Sequence, residues 1–207
     1  MKYSKSLLAL ALSLVALGAQ ASTNLVTNGS FEDNIQGPNS WKIYDSLNGW
    51  TANPVLGIEL RNDIAGKAQQ GVNYVELDTT ANSSIQQTIN STGWVNLSFW
   101  YSARPNTGAT NDLTFSFGNV SGTVLSGVSN STDIHNWQHY TQLVNLGTSG
   151  SSALTFSAAG PSDSFGGSLD NISVTAVPEP ETYALLLAGL GLMGAISRRR
   201  NKANKKA

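Results

Sequence analysis

Cysteine is absent from the 207-residue chain. No disulfide can staple it, and no thiolate can serve as nucleophile, metal ligand or redox centre. Charge is scarce as well, at 12 % of residues, where soluble domains usually carry about 25 %. Basic residues almost vanish from the middle of the chain. Between residues 22 and 177 only Lys42, Arg61, Lys67 and Arg104 face eleven Asp and Glu, so that stretch carries about −7 although the whole chain sums to −1. Such a body does not attract nucleic acid or anionic lipid by charge; it can attract cations. Histidine occurs twice, at His135 and His139. The segment between them lacks the Glu of H-E-x-x-H and follows no helical period, which predicts loop or strand-edge histidines. No G-x-S-x-G elbow is present. Outside the two ends there is no helix-period apolar pattern and no linker that would divide the body.

Both ends are signals. Lys2 and Lys5 precede an apolar run from 7 to 17, and Ala19-Gln20-Ala21 offers a small-residue cleavage site. Residues 1–21 therefore read as a secretory signal helix cut between Ala21 and Ser22. Near the other end stand Val177, Pro178, Glu179 and Pro180. A run of about 14 apolar and small residues follows (183–196), then Arg198, Arg199, Arg200, Lys202, Lys205 and Lys206. A bilayer-spanning helix needs roughly 20 residues, so a short membrane helix with a basic cytoplasmic stop suits transient retention. Gly189, Gly191 and Gly194 spell G-x-G-x-x-G, but no strand precedes them, and thinning of a membrane helix is the better reading. Residues 177–207 resemble the PEP-CTERM sorting tail. That resemblance implies recognition by a membrane exosortase, cleavage near Pro178 to Pro180, transient residence in the inner membrane, and delivery to the cell surface or beyond.

The body, residues 22–176, is rich in Asn, Ser, Thr and Gly. Period-two alternation recurs at Val95, Leu97, Phe99 and Tyr101, at Leu113, Phe115 and Phe117, and at Val75 and Leu77. It returns at Ile85, Gln87 and Ile89, at Leu154 and Phe156, and at Ile172 and Val174. Short alternating runs between Gly, Asn, Pro and Ser clusters predict an all-β fold, a single antiparallel sandwich or jelly roll flanked by the two end helices. The opening Asn24-Leu25-Val26-Thr27-Asn28-Gly29-Ser30-Phe31-Glu32 and the closing Leu169-Asp170-Asn171-Ile172-Ser173-Val174 are similar to the ends of galactose-binding-type jelly rolls, including many carbohydrate-binding modules. Gly71, Tyr74, Val75, Leu77 and Asp78 extend the likeness. First and last strands lie close in such domains, which brings Glu32 near Asp170. The resemblance implies a structural calcium held by Glu32, Asp170 and backbone carbonyls; capping and solvation are the plainer roles for the same residues.

Sugars are recognised by aromatic faces and by polar groups that bond hydroxyls. Trp50 follows a turn signal at Asn48-Gly49. Trp100 lies opposite the Leu97/Phe99 face, and Arg104 precedes Pro105 on a loop, where it can meet Glu76 and Asp78 at one rim. These five are the candidate ligand residues, although core packing accounts for most aromatics. Glu76 and Asp78, two apart on one strand face, are about 6–7 Å apart by strand rise. That separation alone does not make a hydrolase. The reading favoured is a non-catalytic, exported polysaccharide-binding protein. A surface protein assembling through protein contacts is the alternative, and a glycan hydrolase the third.

Overall fold

The computed structural model describes residues 23–52, 55–107, 111–124, 135–178 and 180–203. The signal peptide with its Ala21–Ser22 bond, and Glu179 of the sorting motif, lie outside them. Within these residues two six-stranded antiparallel sheets pack as a sandwich. The first orders β1 (Ser40–Tyr44), β4 (Ile58–Asn62), β5 (Asn73–Glu76), β12 (Ser168–Ala176), β7 (Trp94–Ser102) and β10 (Gln138–Asn145). The second orders β2 (Ser46–Leu47), β3 (Trp50–Ala52), β6 (Ser84–Ile89), β11 (Ser152–Ala158), β8 (Leu113–Phe117) and β9 (Val120–Val124).

Strand β7 shows why the chain folds this way. Val95, Leu97, Phe99 and Tyr101 are buried, while Trp94, Asn96, Ser98 and Trp100 face outward. Successive strand residues point to opposite faces, so one strand supplies both the core and a polar exterior. Phe99 stacks on Tyr140 at 4.7 Å and meets Phe156 edge-on at 5.0 Å, which joins the sheets across the core. Trp50 closes one end of the same core against Phe31 and Phe156, with ring centroids 5.9 and 6.3 Å away.

The opening and closing motifs lock together. Asn24 bridges to Thr175, Leu25 N donates to the Val174 carbonyl, and Ile172 N donates to the Gly29 carbonyl. Asn28 adopts φ 53°, a left-handed conformation that Asn tolerates. Gly29 is obligatory: a Cβ there would sit 2.0 Å from the Ile172 carbonyl oxygen. In β12 the pairing with β7 shifts register between Asp170 and Ser173, and Asn171 takes φ 48°. A bulge of this kind re-aims a side chain, here Asp170.

The tail helix α1 (Pro180–Ala203) is longer than the apolar run, at 24 residues. Proline at its start is compatible with a helix N-terminus, and the basic sequence after residue 197 holds no helix breaker. Among the described residues no helix is long and apolar enough to cross a membrane. The expectation of a membrane-crossing helix is thereby corrected: the apolar run is too short and too diluted by glycine.

Candidate ligand-binding site

Strand β4 reads Ile-Glu-Leu-Arg-Asn, an alternation that suggests a solvated outer face, yet all five residues are buried. Loops from 63–67 and 163–166 close over it. The Tyr74 hydroxyl donates to the Ile64 carbonyl. The Lys67 carbonyl accepts from Trp137 Nε1 at 3.0 Å and lies 2.8 Å from His135 Nδ1. A carbonyl only accepts, so Nδ1 carries the proton, and His135 Nε2 accepts from the Ser168 hydroxyl at 2.9 Å. Burial drives the His135 pKa down to about 4, so the imidazole is a neutral strut at ordinary pH. His139 sits on β10 at the sheet edge and stacks on Trp100 at 4.7 Å. Both histidines are where the sequence placed them.

Beneath the loops lies a charge network. Glu59 and Glu76 are directly opposite across β4 and β5. Arg61 forks between them, 2.5 Å from Glu59 and 3.0 Å from Glu76. Arg104 Nη1 reaches Glu76 at 3.1 Å and the Ser164 carbonyl at 3.1 Å, and the Gly166 amide donates to Glu76 Oε1 at 2.9 Å. Burial pushes the Glu76 carboxyl up to about 7 against the pull of Arg61 and Arg104, and raises Glu59 as well. The expected Arg104–Glu76 meeting is present. Asp78 joins only indirectly: β5 ends at Glu76, and Asp78 Oδ2 accepts the amides of Asp163 and Ser164, each at 2.9 Å. Asp78 and Glu76 are both fully buried, so neither can touch a ligand directly. That corrects the sequence reading; their work is to hold the 163–166 loop.

Above the network two clefts open side by side. One, about 210 Å³, is lined by Trp41, Glu59, Arg61, Thr79, Arg104 and Phe165 among others. The other, about 440 Å³, lies against Gly66, Arg104, Pro105, Asn106, Thr107 and Phe165. Arg104 and Phe165 belong to both and form the ridge between them, the guanidinium 4.6 Å from the ring centroid. Trp41 and Phe165 are 52 % and 45 % exposed. Trp50, in contrast, is 1 % exposed and its indole N–H donates to the Asn28 carbonyl at 3.1 Å; it is core, not ligand surface. Trp100 is half-buried on the outer face but outside both clefts. Phe165 was not singled out as a ligand residue. The available signal for Phe165 was a lone aromatic in a Ser- and Gly-rich loop.

The other expected site is a clasp. Glu32 Oε1 accepts the amides of Val72 and Asn73 at 2.9 and 2.7 Å. Asp170 accepts those of Gln69, Gln70 and Asn171 at 2.8, 2.9 and 2.6 Å. Gly71, at φ +70°, packs so closely that a Cβ would lie 2.4 Å from the Glu32 carboxyl. Burial pushes Asp170 up to about 7; amide donors oppose this, and the Glu32 charge adds to it. Five amide donors are what the structure shows on these two carboxylates. The rest of any calcium shell must come from carbonyls or water, since the described residues contain no cluster of three or more His, Cys, Asp and Glu.

Residues 176–201 match the PEP-CTERM protein-sorting motif. The tail is a sorting signal. None of the curated proteins matches the chain significantly. Among solved structures, a cyclase from Fischerella sp. TAU is similar at 13 % identity and TM-score 0.51, covering 76 % of this chain and 98 % of its own. An arabinose-bound GH51 α-L-arabinofuranosidase is similar at 11 % identity and TM-score 0.51, covering 74 % of this chain but only 26 % of its own. The CBM22-1 xylan-binding domain from Paenibacillus barcinonensis Xyn10C is similar at 17 % identity and TM-score 0.48, covering 78 % and 99 %. At these identities the likeness concerns the sandwich fold alone.

Proposed function

We propose that this is an exported protein, processed by an exosortase at its PEP-CTERM tail, whose sandwich binds an extracellular polysaccharide without cleaving it. The carrying observation is the pair of clefts divided by the Arg104–Phe165 ridge, with half-exposed Trp41 at one side and polar floor groups between. Aromatic faces beside a few fixed polar groups suit sugar rings, which present C–H faces and hydroxyl edges. The likeness of the opening and closing motifs to carbohydrate-binding jelly rolls supports the same reading. Calcium at Glu32 and Asp170 would be structural, stapling the opening segment and β12 to the 69–73 segment. Retention of the full chain, in mild detergent, on immobilised polysaccharides with calcium and with EDTA tests both parts. Retention on one polymer supports binding. An EDTA-induced fall in melting temperature supports the metal, and an unchanged melting temperature removes it.

A hydrolytic second reading draws on Glu59 facing Glu76, the pairing a retaining glycosidase uses. Arg61 occupies the space between them and Glu76 has no solvent access, so the account expects no release of reducing ends from a bound polymer. Assembly through protein contacts draws on β10, an eight-residue strand with one neighbour among the described residues; light scattering of the full chain checks it.

A further inference from the structure

The sandwich is polarised along β7. At the end of β7 lie Arg104 and the charge network with its clefts. At its start, nine residues and roughly 26 Å of strand rise away, the loops from 90–93, 118–119 and 145–151 meet the entry and exit of the chain. Asn24 bridges Thr175 there, and Val177 N donates to the Trp94 carbonyl at 2.9 Å. Gly93 N donates to the Gly147 carbonyl and Leu146 N to the Gly93 carbonyl, each at 2.9 Å, and Asn145 N donates to Asn119 Oδ1 at 3.1 Å. The stretches at this end, 23–27, 88–96, 117–120, 143–154 and 173–178, contain no Asp, Glu, Lys, Arg or His. A body of about −7 keeps one end free of formal charge, and that is the end that carries the sorting tail.

Three apolar side chains emerge there on one face. Trp94 pairs with Asn145, and Leu143 with Asn96, which puts Trp94 and Leu143 on the same outward face of adjacent strands. Val177 prolongs β12 on the other side of β7 with the outward parity of Ser173 and Thr175. Their exposures are 45 %, 48 % and 38 %. Only Pro178 and Glu179 separate Val177 from the first helical residue, Pro180. Covalent geometry limits that span to roughly 10 Å, at about 3.3–3.6 Å per residue. Once the apolar stretch of α1 is buried in lipid, this end of the sandwich must lie at the bilayer surface.

We propose that Trp94, Leu143 and Val177 form a seat for the interfacial region of the bilayer, which holds the sandwich upright on its tail with the clefts facing away from the membrane. Tryptophan prefers that region, where its ring is half wet. Uncharged strand ends meet neutral headgroups without desolvating ions, Glu179 and Glu181 being the nearest charges in the tail. The inference rests on the tail engaging the membrane, as the sorting reading holds, and not on sugar binding. It places the sorting motif within about 10 Å of a docked domain, so the processing enzyme meets folded protein beside its cleavage segment.

The test mixes the full chain with phosphatidylcholine vesicles and the same vesicles brominated near the headgroup end of one acyl chain. Flotation that is lost when the chain ends at Val177 reports tail engagement; tryptophan quenching reports the seat, since the tail has no Trp. The wild type is expected to float and be quenched, and Trp94→Phe to float equally but lose at least half of the quenching. Flotation with quenching unaffected by Trp94→Phe overturns the seat and leaves the sorting reading intact; failure to float overturns both. A lipid-free blue shift that grows with protein concentration and vanishes in Trp94→Phe assigns the patch to a second copy instead, and also overturns the seat.

Discussion

Glu76 is a buried anion between two arginines, and two effects of opposite sign meet on it. Arg61 and Arg104 favour its charged form, burial disfavours it, and burial wins, with the pKa at about 7. The folded chain then holds a proton that the unfolded chain releases near 4.5, so the contribution of this residue to stability falls as pH rises from about 4.5 to 7. Glutamine mimics the protonated acid. Relative to wild type, Glu76→Gln is therefore expected to improve between pH 5 and pH 8, measured by urea unfolding; a deficit that grows with pH means that arginine attraction outweighs burial. Trp50 behaves as core. Trp50→Ala is expected to cost about 3–5 kcal/mol in the same assay, whereas Trp41→Ala, at an exposed position, leaves the midpoint nearly unchanged. From the sequence Trp50 read as a ligand residue because a tryptophan after an Asn-Gly turn looks the same whether it points in or out, and β3, three residues long, is too short to set its parity.

At the scale of elements, the legible strands were those with one face in the core and one in water. Strands β7 and β8 alternate cleanly, and their register follows from that pattern; β12 alternates only from Asn171 onward, past its bulge. Strand β4 hid because its charged face is roofed by loops, which turns an exposed-looking pattern into a buried one. Strand β10 hid because edge exposure leaves His139, Thr141 and Leu143 open on the outer face. The motifs at the two ends of the body were read correctly as neighbours, but their carboxylates do more than meet: Glu32 and Asp170 tie down the 69–73 segment through four amide hydrogen bonds. Gly71 is the hinge of that clasp. Gly71→Ala forces an L-residue into φ +70° with its Cβ against the Glu32 carboxyl, and is expected to cost about 1–3 kcal/mol and to raise amide exchange at Val72 and Asn73. Protection unchanged at those amides contradicts the clasp.

Across the whole molecule, ends and charges are sorted. Chain entry and chain exit share an end whose strand termini carry no charged residue, while Arg61, Arg104, the buried glutamates and both clefts occupy the other. The address was legible because a proline pair, an apolar run and a basic stop are local in sequence. The clefts were not, because their walls come from β1, β4 and the loops after β4, β5, β7 and β11, which only the fold brings together. Sugar is the ligand we propose for those walls. The most direct measurement is retention of the full chain on a polysaccharide panel, wild type beside Trp41→Ala and Phe165→Ala, with folding confirmed by unchanged melting temperature. The account predicts that one polymer retains the wild type and that each substitution weakens retention at least tenfold, about 1.4 kcal/mol. Retention by no polymer, or equal retention of all three proteins, contradicts it.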